Sequence, residues 1–381
     1  MINLDLFKIL KSSLFGGSLE LSDGCSLEEL MEELQSQTCL SLTKDIVPQL
    51  PLGDSLRGRW ETAVNHALAN NAKISFEEQK IFSALEEAGV PCAVLKGSAS
   101  AQYYPKPELR SRGDIDILAQ SGRFEDAAGV LTGNGFIANG EINPEAKHVE
   151  FKKNGVEIEL HSRFFEAGEQ NALLYSAIGG IKKGGIPMLP DTENGLVMLH
   201  HIQYHLRFGI GLRQFIDWFM FVNRILDDAF WSSTFKSYAE SFNLAVLAKA
   251  AAKLGVQLGL IQREITWCDD VEDELCTMLL EQIMRNGNFG FKESSIARKT
   301  ATVLTTKLSP LTVFRILHVR GIETWPAARE HALLRPLAGL RLAALYAQRI
   351  ASGNAVADIK RQKEEAAKRQ ELLRKLGILE P

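Results

Sequence analysis

The order of hydrophobic and polar residues in the middle of the chain predicts β-strands separated by short helices. Short apolar runs or strict alternation predict β-strands in "VPCAVLKG", in "DIDILAQ" and on both sides of Asn154-Gly155 in "HVEFKKNGVEIELHSRF". Asn-Gly is the dipeptide most typical of a tight hairpin turn. Between these strands, "SASAQYY" predicts a short helix and "GRFEDAAGVLTGNG" a helix that ends in glycine. This pattern indicates an α+β unit.

Helical spacing dominates on both sides of this unit. Apolar residues recur every three or four positions before it, and from about Thr192 onward every predicted element is a helix. We therefore predict three parts: an N-terminal helical segment (1–72), the α+β core (73–190) and a large all-α C-terminal domain (191–381).

Composition limits the classes of protein. The chain has 381 residues, 45% of them hydrophobic, and a formal net charge of −4, which does not favour a general nucleic-acid binder. From Lys292 onward, 17 Lys and Arg face 8 Asp and Glu. A solvated helical surface explains this basic stretch best, and an RNA or other acidic partner is the less favoured alternative, because no RNA-binding motif accompanies it.

The cysteines and the lack of long apolar runs indicate in which cell compartment the protein is expected. The five cysteines are scattered and form no C-x-x-C pair, so we expect reduced thiols and neither a disulfide framework nor a zinc ribbon. The first residues lack a signal-peptide pattern, and no apolar run approaches the roughly 18 residues of a membrane span. We therefore expect a cytoplasmic protein with no membrane partner.

Paired acids carry the main chemical signal. Asp114 and Asp116 would lie on one face of their strand, where the repulsion between two carboxylates favours a bound divalent cation. A third acid lies on the hairpin, where Glu157 and Glu159 both share a face with His161, and alternation alone leaves the choice between them open. Three carboxylates suit Mg²⁺, which prefers oxygen ligands.

A Gly-Ser element precedes the paired acids. Gly97 would let a phosphate approach the backbone, and the Ser98 hydroxyl could donate to it. This is not a P-loop, since Lys96 precedes the glycine. Lys96, Arg110 and Arg112 could each neutralise phosphate charge or could be ordinary surface cations.

The order of these motifs resembles the nucleotidyltransferase superfamily of the DNA polymerase β type. The stretches "VLKGSASAQYYPKPELRSRGDIDIL" and "VEIELHSRF" are similar to a poorly characterised bacterial family marked by Leu-Lys-Gly, Asp-x-Asp and acid-Leu-His. The resemblance implies a small mixed sheet with flanking helices. It also implies an enzyme that binds an NTP, ATP by default, and two Mg²⁺ ions.

The resemblance also implies roles for individual residues. Asp114, Asp116 and Glu159 would hold the metals as catalytic carboxylates, with Glu159 chosen over Glu157 by the acid-Leu-His element alone. Gly97, Ser98, Lys96 and Arg112 would contact the nucleotide. The acceptor would be a small molecule, sugar, peptide or protein, and relatives that modify tRNA ends keep nucleic acid open as a less favoured acceptor.

Four further residues are candidates for contacting the acceptor or supporting the metal ligands: His161, His205, Arg213 and Asp217. The pair His201 and His205 has the spacing of zinc ligands on a helix, but "HIQYH" lacks the glutamate of a zincin, so we do not expect a metalloprotease. The alternative to an enzyme is a non-catalytic or regulatory, antitoxin-like module of the same fold that binds a nucleotide or a protein partner.

Overall fold

Residues 3–207, 209–287, 317–319, 321–322, 325–351 and 354–379 are described by the structure, which is a computed structural model. The chain divides into two units, residues 1–289 and residues 290–381. The first unit contains the whole sheet. The second contributes the helices Pro326–Glu330, Arg335–Ala351 and Asn354–Lys375.

A mixed sheet of seven strands lies within the first unit, in the order β3-β4-β5-β2-β1-β7-β6. The central strands β2 and β5 run parallel, as do β1 and β7, while the other neighbours are antiparallel. The strands are β1 (Cys92–Val94), β2 (Ile115–Ala119), β3 (Ile137–Ala138), β4 (His148–Lys153), β5 (Val156–His161), β6 (Ile181–Lys183) and β7 (Ile186–Met188).

Helices precede, interrupt and follow the sheet in the first unit. They are α1 (Asp5–Phe15), α2 (Leu27–Ser36), α3 (Asp54–Glu87), α4 (Ser98–Ala101), α5 (Phe124–Gly133), α6 (Gly168–Ala177), α7 (Asp191–Leu206), α8 (Leu212–Arg224), α9 (Asp228–Phe230), α10 (Lys236–Ser241), α11 (Ala245–Gln257) and α12 (Asp273–Asn286). Short 3-10 turns lie at Leu40–Thr43, Val47–Gln49 and Pro107–Leu109, and a π-helical turn at Trp231–Phe235.

The two faces of the sheet differ in character. On β5, Val156, Ile158 and Leu160 enter the hydrophobic core together with apolar residues of α3 and α5. Because strand residues alternate between faces, Glu157, Glu159 and His161 lie on the opposite face. The same alternation on β2 puts Asp116 on that opposite face.

The α+β class and the helical C-terminal region that the sequence predicts are confirmed. The Asn-Gly turn joins β4 to β5, with positive φ angles of 50° at Asn154 and 71° at Gly155, as a tight hairpin requires. Three short strands, β3, β6 and β7, were not predicted. Strand β1 is as short, but it lies in the apolar run "VPCAVL", whereas the other three lie in no comparable apolar or alternating run. Helix α3 runs unbroken through Asn70-Asn71 and through the expected boundary at residue 72.

Two expectations concern properties outside the sheet. The five cysteines are free thiols. Among the described helices, none combines the length and apolar composition needed to cross a membrane. The basic stretch that begins at Lys292 lies partly outside the described residues.

Candidate active site

The acidic residues meet where β2 and β5 run side by side. Asp116 lies directly opposite Glu159 in the parallel register, and Asp114 immediately precedes β2. Asp116 is buried, whereas Asp114 and Glu159 are partly exposed. The pairing of these strands therefore brings together acids that lie more than forty positions apart in the sequence.

Glu157 occupies a different environment from Glu159, although both lie on the same face of β5. The Glu157 carboxylate is exposed and pairs with Lys152 of β4 at 2.8 Å. Glu159, by contrast, lies within 3.4 Å of His161 and lines the same cavity as Asp114 and Asp116. The geometry thus groups Glu159, and not Glu157, with the two aspartates.

Two basic side chains contact the buried aspartate. The Lys96 ammonium lies 2.7 Å from Oδ1 of Asp116, and Nε2 of His161 lies 3.1 Å from the same oxygen. His161 also has a buried Nδ1 with no hydrogen-bond partner among the described residues. The carboxylate of Asp116 is therefore held between two groups that stabilise its negative charge.

These contacts shift the titration of the groups around Asp116. Burial alone would lower the pKa of Lys96, but the charges of Asp116, Asp114 and Glu159 raise it. Burial would likewise lower the pKa of His161, but its bonds to Asp116 and Glu159 raise it. Burial would raise the pKa of Glu159, yet His161 and Lys96 lower it to about 2. Glu159 is therefore ionised at neutral pH.

The donor set fits a divalent cation. One ligand atom each from Asp116, Glu159 and His161 lies within 4.8 Å of the others, and Asp114 can add a further carboxylate from the start of β2. Oxygen-rich sets of this kind suit Mg²⁺. Lys96 already bonds to Oδ1 of Asp116, so an ion at this site would lie close to its ammonium.

The Gly-Ser element lies beside these acids, but only part of it faces the cavity. Gly97 lines the cavity and has a φ of 58° and a ψ of −101°, a conformation that a side chain would strain. The Ser98 hydroxyl instead points to α3, where it donates a 2.5 Å hydrogen bond to Glu78. The structure therefore brings the Gly97 backbone to the site but not the Ser98 hydroxyl.

Arg112 is also directed away from the cavity. Its guanidinium donates to Ser75 at 2.7 Å and pairs with Glu78 at 3.2 Å. Burial raises the pKa of Glu78, and the bonds from Ser98 and Arg112 oppose this rise. Arg112 is not among the residues that line the cavity, because α3 supplies a buried partner for it. Its contact with a nucleotide stays a prediction.

The helical region contributes the opposite wall of the cavity. Asp217 of α8 lines it, but its carboxylate accepts bonds from Arg110 Nε and Nη2, both at 2.6 Å, and from Tyr104 at 2.7 Å. Arg213, one turn earlier, donates to the Ser111 carbonyl and has a buried Nε with no partner among the described residues. Arg213 is therefore better placed than Asp217 to contact a bound anion.

Aromatic and imidazole rings line the rest of the cavity. His205 lines the cavity, together with residues that the sequence reasoning did not select: Lys147, His148, Phe164, His200 and Tyr204. The stretch "LHHIQYHL" contains three of these rings, and its density of histidines was the available signal. Burial and the charge of Lys147 lower the pKa of His200 to about 4, and burial and Lys96 lower that of His205 to about 4.

Together, the mixed sheet, the paired acids and the Gly turn define a site of the nucleotidyl-transfer class. Residues 34–258, more than half of the chain, match the model of a family described as uncharacterised nucleotidyltransferase. The chain belongs to this family, which supports nucleotidyl transfer as its activity. The comparisons with curated proteins and with solved structures give no match.

Proposed function

We propose that the protein is an Mg²⁺-dependent enzyme that transfers a nucleoside monophosphate from an NTP to an acceptor hydroxyl and releases pyrophosphate. The observation that carries this proposal is the register of Asp116 against Glu159, with Asp114 at the start of the same strand. ATP is the default donor.

In this proposal, the residues that line the cavity have three separate roles: binding metal, binding triphosphate and orienting the metal ligands. Asp114, Asp116 and Glu159 hold the divalent ions, which would neutralise phosphate charge and orient the reacting oxygens. The Gly97 backbone and the Arg213 guanidinium receive the triphosphate. His161 fixes the orientation of the Asp116 and Glu159 carboxylates through its bonds of 3.1 and 3.4 Å.

The transfer forms one bond and breaks another. The acceptor oxygen attacks the α-phosphorus, and the bond from that phosphorus to the oxygen bridging to the β-phosphate breaks. Pyrophosphate leaves with the electron pair of that bond, and the proton of the hydroxyl passes to solvent. Glu159, ionised at neutral pH, would contribute by holding the ion that lowers the pKa of that hydroxyl.

A second candidate function rests on two contacts of one carboxylate. Because Lys96 and His161 both bond to Oδ1 of Asp116, the charge of this aspartate is already compensated without a metal. This favours, as the alternative, a non-catalytic module that binds a nucleotide or a protein partner. Such a module would bind NTP equally well with Mg²⁺ or with a chelator, and it would release no pyrophosphate.

A matched pair of substitutions on β5 tests the enzyme proposal. We expect Glu159→Gln to abolish transfer of label from α-labelled ATP into a metabolite extract, because it removes a metal-binding charge. Glu157→Gln removes an equal charge from an exposed pair with Lys152, so it should transfer label like the wild type. Wild-type transfer by Glu159→Gln, or loss in Glu157→Gln alone, would contradict the assignment.

A further inference from the structure

One wall of the cavity carries several rings, and the proposed transfer chemistry assigns no function to it. Sheet order puts β1 and Gly97 on one side of Asp116, and puts β5 and then β4 on the other. Lys147 and His148 lie at the start of β4, and Phe164 follows β5. Lys147, His148 and Phe164 therefore lie across the acids from Gly97. His200 and Tyr204 of α7 adjoin them in the same cavity, and we define these five residues as the ring-bearing wall.

In-line displacement requires the acceptor and the leaving pyrophosphate to lie on opposite sides of the acidic residues. The attacking oxygen must approach the α-phosphorus opposite the bond that breaks, and pyrophosphate leaves toward the groups that hold the β- and γ-phosphates. If Gly97 and Arg213 receive those phosphates, the acceptor approaches from the side of β5 and β4. That side is the ring-bearing wall.

The rings of this wall form a continuous packed surface. The Phe164 and His200 centroids lie 5.4 Å apart, and the Lys147 ammonium lies 6.0 Å from the Phe164 centroid and 5.6 Å from that of Tyr204. Flat ring faces bind apolar C–H surfaces, whereas imidazole nitrogens and a phenol bond to hydroxyls. His200 has a pKa of about 4, so it is neutral at pH 7 and offers both a donor and an acceptor.

Charge selects against ionic acceptors. Lys147 is paired with Glu166 at 3.0 Å, so this cation of the wall already has an acidic partner. Deeper in the cavity, the cations Lys96 and Arg213 lie among the carboxylates Asp114, Asp116 and Glu159. Neither an amine nor a phosphate on the acceptor therefore meets a surface of a single opposite charge.

We propose that this wall is the acceptor subsite and that the acceptor is an uncharged, hydroxyl-bearing ring of the sugar class. The proposal rests on the proposed function, because it takes Gly97 and Arg213 as the phosphate side. One hydroxyl of the ring is the nucleophile, and the remaining hydroxyls bond to His148, His200 and Tyr204.

Saturation-transfer NMR on the full chain tests this subsite, with Mg²⁺ and a non-hydrolysable ATP analogue present. The probes are three sets of equal size: neutral methyl glycosides, amine-bearing aminoglycosides and sugar phosphates. We expect the strongest signals from the glycosides, and a loss of at least fivefold in Tyr204→Ala. Phe76→Ala is the matched control, because Phe76 is also an exposed aromatic residue but lies on α3 away from the cavity.

The outcomes separate this proposal from the transferase itself. Affinity for the ATP analogue should be unchanged in Tyr204→Ala. Stronger signals from aminoglycosides or sugar phosphates, no glycoside signal, or an unaffected signal in Tyr204→Ala would each overturn the subsite. A tenfold loss of analogue affinity in Tyr204→Ala would make the wall a base-binding platform instead. Failure of the wild type to bind the analogue would overturn the proposed function.

Discussion

Ser98 and Glu78 form a buried hydrogen bond of 2.5 Å that joins the Gly97-Ser98 turn to the long helix α3. The same Glu78 oxygen pairs with Arg112, which lies two residues before Asp114. Glu78 is therefore a single anchor for both segments that carry the proposed nucleotide and metal ligands.

Substitution of this anchor should loosen both segments. We expect Glu78→Gln to lower the free energy of unfolding by about 2 kcal/mol, since hydrogen bonds to charged groups contribute about 1.5–3 kcal/mol. It should also weaken NTP binding several-fold, measured by calorimetry. Glu61→Gln, an exposed change on the same helix, is the control and should alter neither quantity. NTP affinity in Glu78→Gln equal to that of the wild type would show that the anchor does not position the turn.

The pair between Arg110 and Asp217 should dominate the stability of the cavity's helical wall. Both side chains are buried, and removal of one partner from a buried ion pair costs about 3–5 kcal/mol. We expect a loss of this size in Asp217→Asn, measured by urea unfolding. The exposed pair between Arg59 and Glu28 provides the control, since Glu28→Gln should cost less than about 1 kcal/mol. Equal losses in the two variants would contradict this account.

His161 gives the metal-free protein a specific pH dependence. Its pKa is raised in the folded state, so the stabilisation is complete below about pH 6.5, the value of an unperturbed histidine, and is lost as pH rises through the folded pKa. In a chelator, the wild type should therefore exceed His161→Gln in unfolding free energy most at about pH 6, with the difference shrinking as the pH rises through the folded pKa. Subtracting the unfolding free energy of His161→Gln from that of the wild type at each pH removes the pH dependence contributed by the other histidines.

Mg²⁺ should reverse this effect. An ion bound to Asp116 and Glu159 would take up the negative charge that raises the pKa of His161, so that pKa should fall. The ring signal of His161 in NMR titrations, assigned with the His161→Gln variant, reports the change. A pKa that is the same with Mg²⁺ and with chelator would mean that the ion binds elsewhere.

The local parts of the site could be predicted from the sequence, but the long-range contacts could not. Alternation and Asn154-Gly155 sufficed to predict the hairpin. The spacing of Asp114 and Asp116 predicted that they lie close together, although only Asp116 lies within β2 and Asp114 immediately precedes it. Glu157 and Glu159 have the same alternation, so only the register of β5 against β2 separates them. Ser98 and Arg112 turn away from the cavity because Glu78 meets them from α3, and no local pattern signals that contact.

The ring-bearing wall shows the same limit. The spacing of the histidines along α7 predicts that they share one side of the helix. It does not indicate which other elements this side contacts. Phe164 and Lys147 reach the wall from loops at the ends of β5 and β4, and their sequence neighbours carry no matching signal. Helix α7 packs against α4, α6 and α8, and this packing brings its rings to the cavity.

The central claim is that Asp114 and Asp116 bind an NTP through Mg²⁺. Calorimetric titration of ATP, CTP, GTP and UTP into the wild type and into the Asp114→Asn/Asp116→Asn double variant tests it most directly, with Mg²⁺ and again with chelator. We predict that one NTP binds the wild type in the presence of Mg²⁺, and that this binding is lost in chelator and in the folded double variant. Binding that persists in chelator or in the double variant, or no binding of any NTP by the folded wild type, would contradict the account.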